Sequence, residues 1–239
     1  MKIDRLSVII PCFQEKDNVK RFPSEVLEIF RRYPFDTEYL LVNDGSTDGS
    51  SEEINKLASS NPNVKVFNHP GNLGLGACLI TAIPHASGDA ILTLDADLTF
   101  HPREFAKLYE IYDENVDCVA GSPIAGKLEG VLLVRKVLTK GVNLIYRILL
   151  GKDVSAVSSI FRLYRASVLK GLELHSQSFQ INAEILTLLI QENRVIREVP
   201  VTLTNRKFGR SKINFFREIR NHLRLFGRIL IWRLGFKER

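Results

Sequence analysis

Four short segments concentrate the residues able to do chemistry: Pro11-Cys12-Phe13-Gln14-Glu15, Asn43-Asp44-Gly45-Ser46-Thr47-Asp48-Gly49-Ser50, Gly71-Asn72-Leu73-Gly74-Leu75-Gly76-Ala77 and Asp95-Ala96-Asp97. Asp95 and Asp97 are separated by one residue, so on an extended strand end both carboxylates face the same side. Such a pair suits one hard cation. Mg²⁺ or Mn²⁺ is held by a few carboxylates together with phosphate oxygens, and the ion then neutralises a diphosphate leaving group. The Gly71–Gly76 stretch ahead of a helix would present backbone N–H groups to phosphate or sugar oxygens. Each segment alone has a plainer reading. Asp-Gly-Ser is common turn chemistry, a Gly-x-Gly pair is a tight bend, and two spaced carboxylates can be a helix cap with a solvated neighbour. Their order along the chain gives them weight.

The elements that must position them alternate. Short apolar runs at Leu6–Ile10, Tyr39–Val42, Val64–Phe67, Ala90–Leu94 and Cys118–Ala120 are expected as buried strands. Helical patterns fall between them at Asn18–Arg31, Ser50–Ser60, Leu75–Ala86 and Arg103–Asp113, with Asp48/Ser50 and His101-Pro102 as start signals. Further helices are expected at Val131–Leu150, Gln180–Glu192 and Ile213–Leu230. Strand-helix alternation at this spacing implies an α/β fold with a mainly parallel sheet and helices on both faces. Ligands of such sheets sit beyond the carboxyl ends of the strands. Each of the four segments follows a strand.

The 239 residues are 45% hydrophobic and 25% charged, which is ordinary globular composition for one large domain. Cys12, Cys78 and Cys118 fit no metal or redox spacing and are expected as small buried residues of a reducing compartment. The start of the chain lacks a signal-peptide pattern, and no uncharged apolar stretch reaches the roughly 18–20 residues of a spanning helix. The expected location is the cytoplasm, peripheral on the cytosolic face of a membrane. From Asn205 onward there are 11 Lys/Arg against 2 Asp/Glu in a chain of net charge +6, so the body is slightly acidic and the tail strongly basic. That asymmetry points to an anionic partner.

Val-Ile-Ile-Pro-Cys-Phe-Gln-Glu (8–15), Asn-Asp-Gly-Ser-Thr-Asp-Gly-Ser (43–50), Asn-Leu-Gly-Leu-Gly-Ala (72–77) and Leu-Asp-Ala-Asp-Leu (94–98) resemble the successive signatures of family-2 glycosyltransferases with the GT-A fold. The likeness extends to the dolichyl/polyprenyl-phosphate mannose and glucose synthases. It continues through Phe161-Arg162-Leu163-Tyr164-Arg165, Glu184 and Glu198-Val199-Pro200-Val201, and ends at Arg206-Lys207-Phe208-Gly209-Arg210-Ser211-Lys212, similar to the Arg-x-x-Gly-x-Ser-Lys of that family.

The resemblance implies an inverting enzyme that moves a sugar from a nucleoside diphosphate sugar, of the GDP-mannose or UDP-glucose type, to a polyprenyl phosphate. It implies that Pro11, Phe13, Glu15, Val42 and Asp44 hold the base and ribose, with Asn72, Gly74, Asp95 and Ala96 completing the donor site. Asp95 and Asp97 would bind Mg²⁺ or Mn²⁺, with Asp97 the direct ligand. Arg206 would join Asp97 in catalysis by stabilising the departing diphosphate. Ser122, Arg135, Arg162, Glu184, Arg206 and Lys212 would contact the acceptor or its phosphate, with a structural anchor as the other reading of Glu184. The domain expected on this basis spans residues 1–212, followed by a basic amphipathic segment, 213–239.

Several positions depart from the family pattern. Gly121-Ser122-Pro123 replaces the usual Gly-Ser-Arg, Thr99 stands where a Gln is usual, and Ala156 occupies the acid position of Asp-x-Thr-Ser-Gly-Phe-Arg, with Asp153 three residues earlier. These changes leave donor binding intact and bear on the acceptor. The helix carrying Glu184 lacks the adjacent acid pair that serves many relatives as catalytic base. A hydroxyl acceptor needs such a base, whereas an already ionised phosphate does not. The other readings are a hydroxyl acceptor in cell-surface glycan assembly and a non-catalytic membrane-bound relative. Nucleic acid is not an expected partner. The five histidines form no ligand-spaced pair, and His69, before a Pro-Gly turn, is expected to be structural.

In the tail, Phe216, Ile219, Leu223, Phe226 and Leu230 project on one helical face, and Arg217, Arg220, Arg224 and Arg228 on the other. The expected role is a helix lying in the interface of an anionic membrane, attached without crossing it; the other reading is a terminal helix packed on the domain with a solvated basic face.

Overall fold

The computed structural model describes residues 3–129, 133–209 and 215–233, apart from the side chains of 128, 133–140 and 215. Seven strands form one sheet: β1 (Arg5–Cys12), β2 (Asp36–Asn43), β3 (Val64–Asn68), β4 (Ala90–Thr93), β5 (Cys118–Leu128), β6 (Arg162–Arg165) and β7 (Ile196–Leu203). Their order is β3-β2-β1-β4-β6-β5-β7. The apolar runs alternate across the sheet as an extended chain requires. Leu6, Val8 and Ile10 join one core with Phe22, Phe30, Leu41, Phe105 and Leu163. Ile9 joins the opposite core with Leu40, Val42, Leu79, Ile91 and Leu189. Both faces are therefore covered, as a mainly parallel sheet demands.

Parallel pairing runs from Arg5↔Asp36 to Cys12↔Asn43 between β1 and β2, and from Leu6↔Ala90 to Ile9↔Thr93 between β1 and β4. The chain proceeds from β1 outward to β3, then returns to the other side of β1 for β4. The order reverses between β1 and β4, and the crevice beyond their carboxyl ends is the natural ligand site of such a sheet. β6 is inserted antiparallel to both β4 and β5. β5 runs well past the expected Ala120 because β7 pairs with it in parallel as far as Leu128↔Leu203, across an irregularity between Ser122 and Lys127.

The helices are α1 (Lys16–Val19), α2 (Glu28–Phe30), α3 (Ser50–Ser59), α4 (Leu75–Ala82), α5 (Phe105–Ile111), α6 (Leu133–Leu150), α7 (Ala166–Gly171), α8 (Ile181–Gln191) and α9 (Phe215–Arg233). The single helix expected over Asn18–Arg31 is broken. A wide π turn at Pro23–Leu27 separates α1 from α2, since Pro23 has no N–H to give to the preceding turn. The start signals hold: Asp48 Oδ1 accepts from the Ser50 amide at 3.0 Å, and His101 Nδ1 from the Arg103 amide at 3.2 Å. A third, smaller core joins α6, α8 and α9 through Tyr146, Leu150, Leu186, Leu225 and Ile229. Among the described residues, no helix is long and apolar enough to cross a membrane.

Candidate active site

The loops that follow β1, β2 and β3 are tied to one another. The Gln14 amide donates to Ser46 Oγ at 3.0 Å, and its side chain bonds the Thr47 amide and hydroxyl. These bonds hold Gln14 in the left-handed region, φ 57°. The Glu15 amide donates to Ser50 Oγ at 2.8 Å, while the Glu15 carboxylate accepts from Asn18 Nδ2 at 2.6 Å. Pro11, Phe13 and Glu15 are all half-buried along this edge.

Asp44 is the clamp of the third loop. Its Oδ1 accepts from the Leu73 amide and its Oδ2 from the Gly74 amide, both at 2.9 Å. His69 Nδ1 lies 2.7 Å from Oδ1, and Nε2 lies 3.0 Å from Thr81 Oγ1. A carboxylate can only accept, so Nδ1–H donates to Asp44, and Nε2 bonds the Thr81 hydroxyl, which can take either role. Asp44, His69 and Cys78 place ligand-type atoms within 4.8 Å of one another. The Asp44 oxygens are already filled with amide bonds, however, and burial above all pushes the Cys78 thiol far up, with Asp44 adding to it. With the Leu73 and Gly74 amides and the His69 ring on its two oxygens, Asp44 acts within this cluster as a clamp of the loop. The structural role expected of His69 holds.

The phosphate cradle expected from Gly71–Gly76 is not present in that form. The amides of Leu73 and Gly74 serve Asp44, and the Ala77 amide donates to Gln177 O at 3.1 Å. A Cβ on Gly76 would lie 2.0 Å from Ser176 O, and one on Gly74, at φ 104°, would lie 2.5 Å from Gln177 O. These glycines exist so that the 176–178 segment can lie against the start of α4. Asn72 stays exposed beside them.

After β4 the chain does not stay extended. Leu98 N–H donates to Asp95 O at 3.2 Å, closing a turn in which Leu98 takes φ 55°. Leu94, Ala96 and Leu98 are buried, while Asp95 and Asp97 are partly open. Both acids thus open away from the core, by way of a turn and not of strand pleating. Asp97 Oδ1 accepts from the Thr99 amide at 3.0 Å, and Oδ2 meets Arg206 Nη2 at 2.8 Å. The Asp97 side chain is only 10% exposed. The loop bearing Arg206 is fixed from both ends. Thr204 donates its amide (2.9 Å) and hydroxyl (3.2 Å) to Thr99 O. Lys207 Nζ lies 3.6 Å from Glu25, and the Arg21 guanidinium stacks 5.7 Å from the Phe208 ring centre.

Other expected ligand contacts prove to be internal. Val42 is fully buried in the core, and the Ala96 methyl is buried too. Arg162 is wholly buried and donates to the carbonyls of Asn182, Ala156 and Val157 at 2.7–2.8 Å. It holds the 156–157 turn and cannot reach an acceptor. Ser122 is likewise buried, its hydroxyl 2.6 Å from Ser155 Oγ. Glu184 is a structural anchor: it accepts from the His175 and Ser176 amides at 3.2 and 2.8 Å and from Arg228 Nη1 at 2.8 Å. Lys212 and the Arg135 side chain lie outside the described residues. A surface cavity of about 330 Å³, lined by Arg5, Phe30 and Asn63 among others, opens at the amino ends of the strands, away from every residue above.

Glu198 takes a role for which the sequence offered only Asp153. From β7 it accepts the amides of Ser155 (2.9 Å) and Ala156 (2.8 Å) and the Ser155 hydroxyl (2.5 Å). A carboxylate thus reaches the Ala156 position from another strand. Asp153, the sequence candidate for that position, is 83% exposed and pairs with Arg147 at the surface. The Glu-Val-Pro-Val motif was the available signal.

Comparison with known proteins identifies the family and the fold. A model of glycosyl transferase family 2 matches residues 7–172. The chain is 33% identical over 232 residues to a dolichol-phosphate mannosyltransferase of Pyrococcus furiosus, covering 95% of this chain and 64% of that protein. It is 30% identical over 223 residues to an undecaprenyl-phosphate 4-deoxy-4-formamido-L-arabinose transferase of Klebsiella pneumoniae, covering 91% and 65%. The chain therefore spans just under two thirds of the length of these relatives. Glucosyl-3-phosphoglycerate synthase of Mycobacterium tuberculosis in complex with UDP superposes with a TM-score of 0.70 at 19% identity, covering 98% of this chain and 82% of that one. The same synthase with Mn²⁺, UDP and glucosyl-3-phosphoglycerate gives 0.66 at 19% identity, covering 98% and 81%. With the motifs, the sheet order and the family model in agreement, the chain belongs to glycosyl transferase family 2 and has the GT-A fold.

Proposed function

We propose that the protein transfers a sugar from a nucleoside diphosphate sugar to a polyprenyl phosphate at a membrane surface, with inversion at the anomeric carbon. The observation that carries this reading is the pairing of Asp97 with Arg206 beyond β4, two residues from Asp95, at the edge where the sheet order reverses. The two relatives described above are both named as transferases to lipid phosphates.

The donor set fits a hard divalent cation. Two carboxylates open from an otherwise apolar turn, and Asp97 already draws a cation in the form of the Arg206 guanidinium. Asp95 and Asp97 would hold Mg²⁺ or Mn²⁺, which when bound neutralises charge on the donor diphosphate. The chain's own residues do the rest. Pro11, Phe13 and Glu15 flank the base and ribose, while Asp44 fixes the loop beside them. A lipid phosphate oxygen attacks the anomeric carbon, the bond from that carbon to the diphosphate oxygen breaks, and the nucleoside diphosphate departs with the electron pair. Arg206 stabilises that departing charge by position and electrostatics. No base is required, because the acceptor arrives ionised. The engagement of Glu184 as a buried anchor removes the candidate base on α8 and so favours phosphate over a hydroxyl acceptor. The exposed apolar face of α9 and the cations beside it supply a means of meeting the lipid at headgroup level.

The test is a competition. Nucleoside diphosphate sugars are first screened for a donor that raises the thermal midpoint in the presence of Mn²⁺. Short polyprenyl phosphate and the matching polyprenol are then supplied side by side with that donor. Product formed from the phosphate with inverted anomeric configuration is expected. Equal or better use of the free alcohol would sink the proposal.

A further inference from the structure

We propose that Arg206 is an internal counter-cation that makes metal binding depend on the nucleotide; this rests on the reading of Asp97 as a metal ligand. In the structure the two oxygens of Asp97 are both engaged, Oδ1 with the Thr99 amide and Oδ2 with the Arg206 guanidinium at 2.8 Å. A divalent ion that takes Asp97 as ligand must displace Arg206 or lie beside it. Two cations a few ångströms apart, on a carboxylate that is nine-tenths buried, repel strongly. Metal binding to the nucleotide-free protein therefore carries the cost of breaking the Arg206–Asp97 pair.

The surroundings give the loop a place to stay while the guanidinium changes partner. Thr204 remains hydrogen-bonded to Thr99 O, and Lys207 and Phe208 rest on Glu25 and Arg21. The Arg206 side chain can change partner while the loop stays in place. A diphosphate beside Asp97 supplies several new anionic oxygens, able to accept Arg206 and to coordinate the ion together. Nucleotide binding thereby releases Asp97 for the metal, and metal binding releases Arg206 for the diphosphate. The two events favour each other, and the coupling is reciprocal by thermodynamic necessity. A metal that leaves with the product would return Arg206 to Asp97, which would keep the empty site from holding a stray cation.

The experiment measures Mn²⁺ binding by electron paramagnetic resonance, with and without saturating nucleoside diphosphate, on the full chain. Four proteins are compared: wild type, Arg206→Gln, Lys207→Gln and Asp97→Asn. Thermal midpoints are recorded alongside to verify folding. Arg206→Gln is expected to bind Mn²⁺ roughly three- to tenfold more tightly than wild type without nucleotide, and to lose a similar factor of the enhancement that nucleotide gives. Lys207→Gln removes the same charge from the same loop but from a residue paired with Glu25, so its Mn²⁺ affinity should match wild type. If Arg206→Gln bound Mn²⁺ no more tightly than wild type, or if Lys207→Gln tightened it equally, the counter-cation role would be overturned. Asp97→Asn tests the underlying reading separately. Unchanged Mn²⁺ affinity there would remove Asp97 as ligand, whatever Arg206→Gln does.

Discussion

Carboxylates in this protein take very different roles according to what surrounds them. Asp97 gives one oxygen to the Thr99 amide and the other to the Arg206 guanidinium, whereas Asp44 spends both oxygens on loop amides, and Glu38 is sealed inside the sheet. Glu38 accepts from Ser7 Oγ at 2.6 Å, from the Ser87 amide and hydroxyl at 2.5 and 2.8 Å, and from Lys65 Nζ at 2.9 Å. Burial alone would push its pKa up, but these donors, Lys65 foremost, outweigh burial and hold it down to about 2. A carboxyl whose folded pKa is depressed stabilises the fold above its unfolded pKa, and the contribution disappears as pH falls toward the folded value. The window here lies between about 4.5 and about 2. Glu38→Gln is therefore expected to lower stability by about 2 kcal/mol at pH 7, with the gap from wild type closing as pH drops from 5 to 2. Denaturant unfolding across that range checks it, and a gap independent of pH would refute it. The order of the four segments along the chain made Asp95 and Asp97 candidates, since the pair taken alone has the plainer reading of a helix cap with a solvated neighbour. Residue types did not distinguish Arg162 from a surface arginine. A motif carries a residue's identity, while the three carbonyls that enclose Arg162 come from residues 156, 157 and 182.

α9 shows how an element can satisfy two partners. Leu225 and Ile229 are 4% and 1% exposed against Tyr146 and Leu150, so one face docks on the domain. Phe216, Ile219, Leu223 and Leu230 are exposed on another face, and Leu144, Ile145 and Ile148 of neighbouring α6 are exposed as well. Phe226, expected with the outward set, instead packs edge-on against the Tyr146 ring, 4.8 Å between centres. Arg217, Arg220 and Arg224 remain exposed, while Arg228 turns inward to Glu184. Periodicity revealed the outward stripe but not the docked one, since only the fold decides which apolar residues find a neighbour. The same limit applies to the first helix, where the apolar spacing continues through Pro23 and the backbone does not. If the outward stripe meets lipid, Ile219→Asp with Leu223→Asp should abolish co-sedimentation with anionic vesicles and leave the thermal midpoint unchanged, because both side chains are exposed. High salt should weaken wild-type binding only in part, since the apolar contribution is not screened. Retained pelleting of the double variant would rule this face out as the anchor.

Over the whole molecule, the 175–178 segment joins α9 to the start of α4 at the carboxyl edge of the sheet. Glu184 of α8 holds the amides of His175 and Ser176 and receives Arg228 of α9. Ser178 donates to Glu218 of α9, a carboxylate that is itself buried. On its other side the segment accepts the Ala77 amide and lies against Gly74 and Gly76, one residue from the amides that Asp44 clamps. Alternation of strands and helices made the parallel half of the sheet legible. The antiparallel β6 and this seam were not legible, because they depend on backbone pairings between distant parts of the chain, Ala90 with Arg165 and Ala77 with Gln177. Glu184→Ala tests the seam as a unit. It would leave two amides and a guanidinium without their acceptor in a site only 1% exposed, a loss on the order of 3 kcal/mol. For a domain of this size that corresponds to a fall in thermal midpoint of roughly 6–12 °C. Because the segment braces the start of α4, nucleoside diphosphate affinity should fall as well, whereas Glu184→Gln, which keeps an acceptor oxygen, should recover much of both. A midpoint within a degree of wild type for Glu184→Ala would show that the contacts carry no net energy. A large fall in midpoint with unchanged nucleotide affinity would confine the seam to stability and separate α9 from the donor loop.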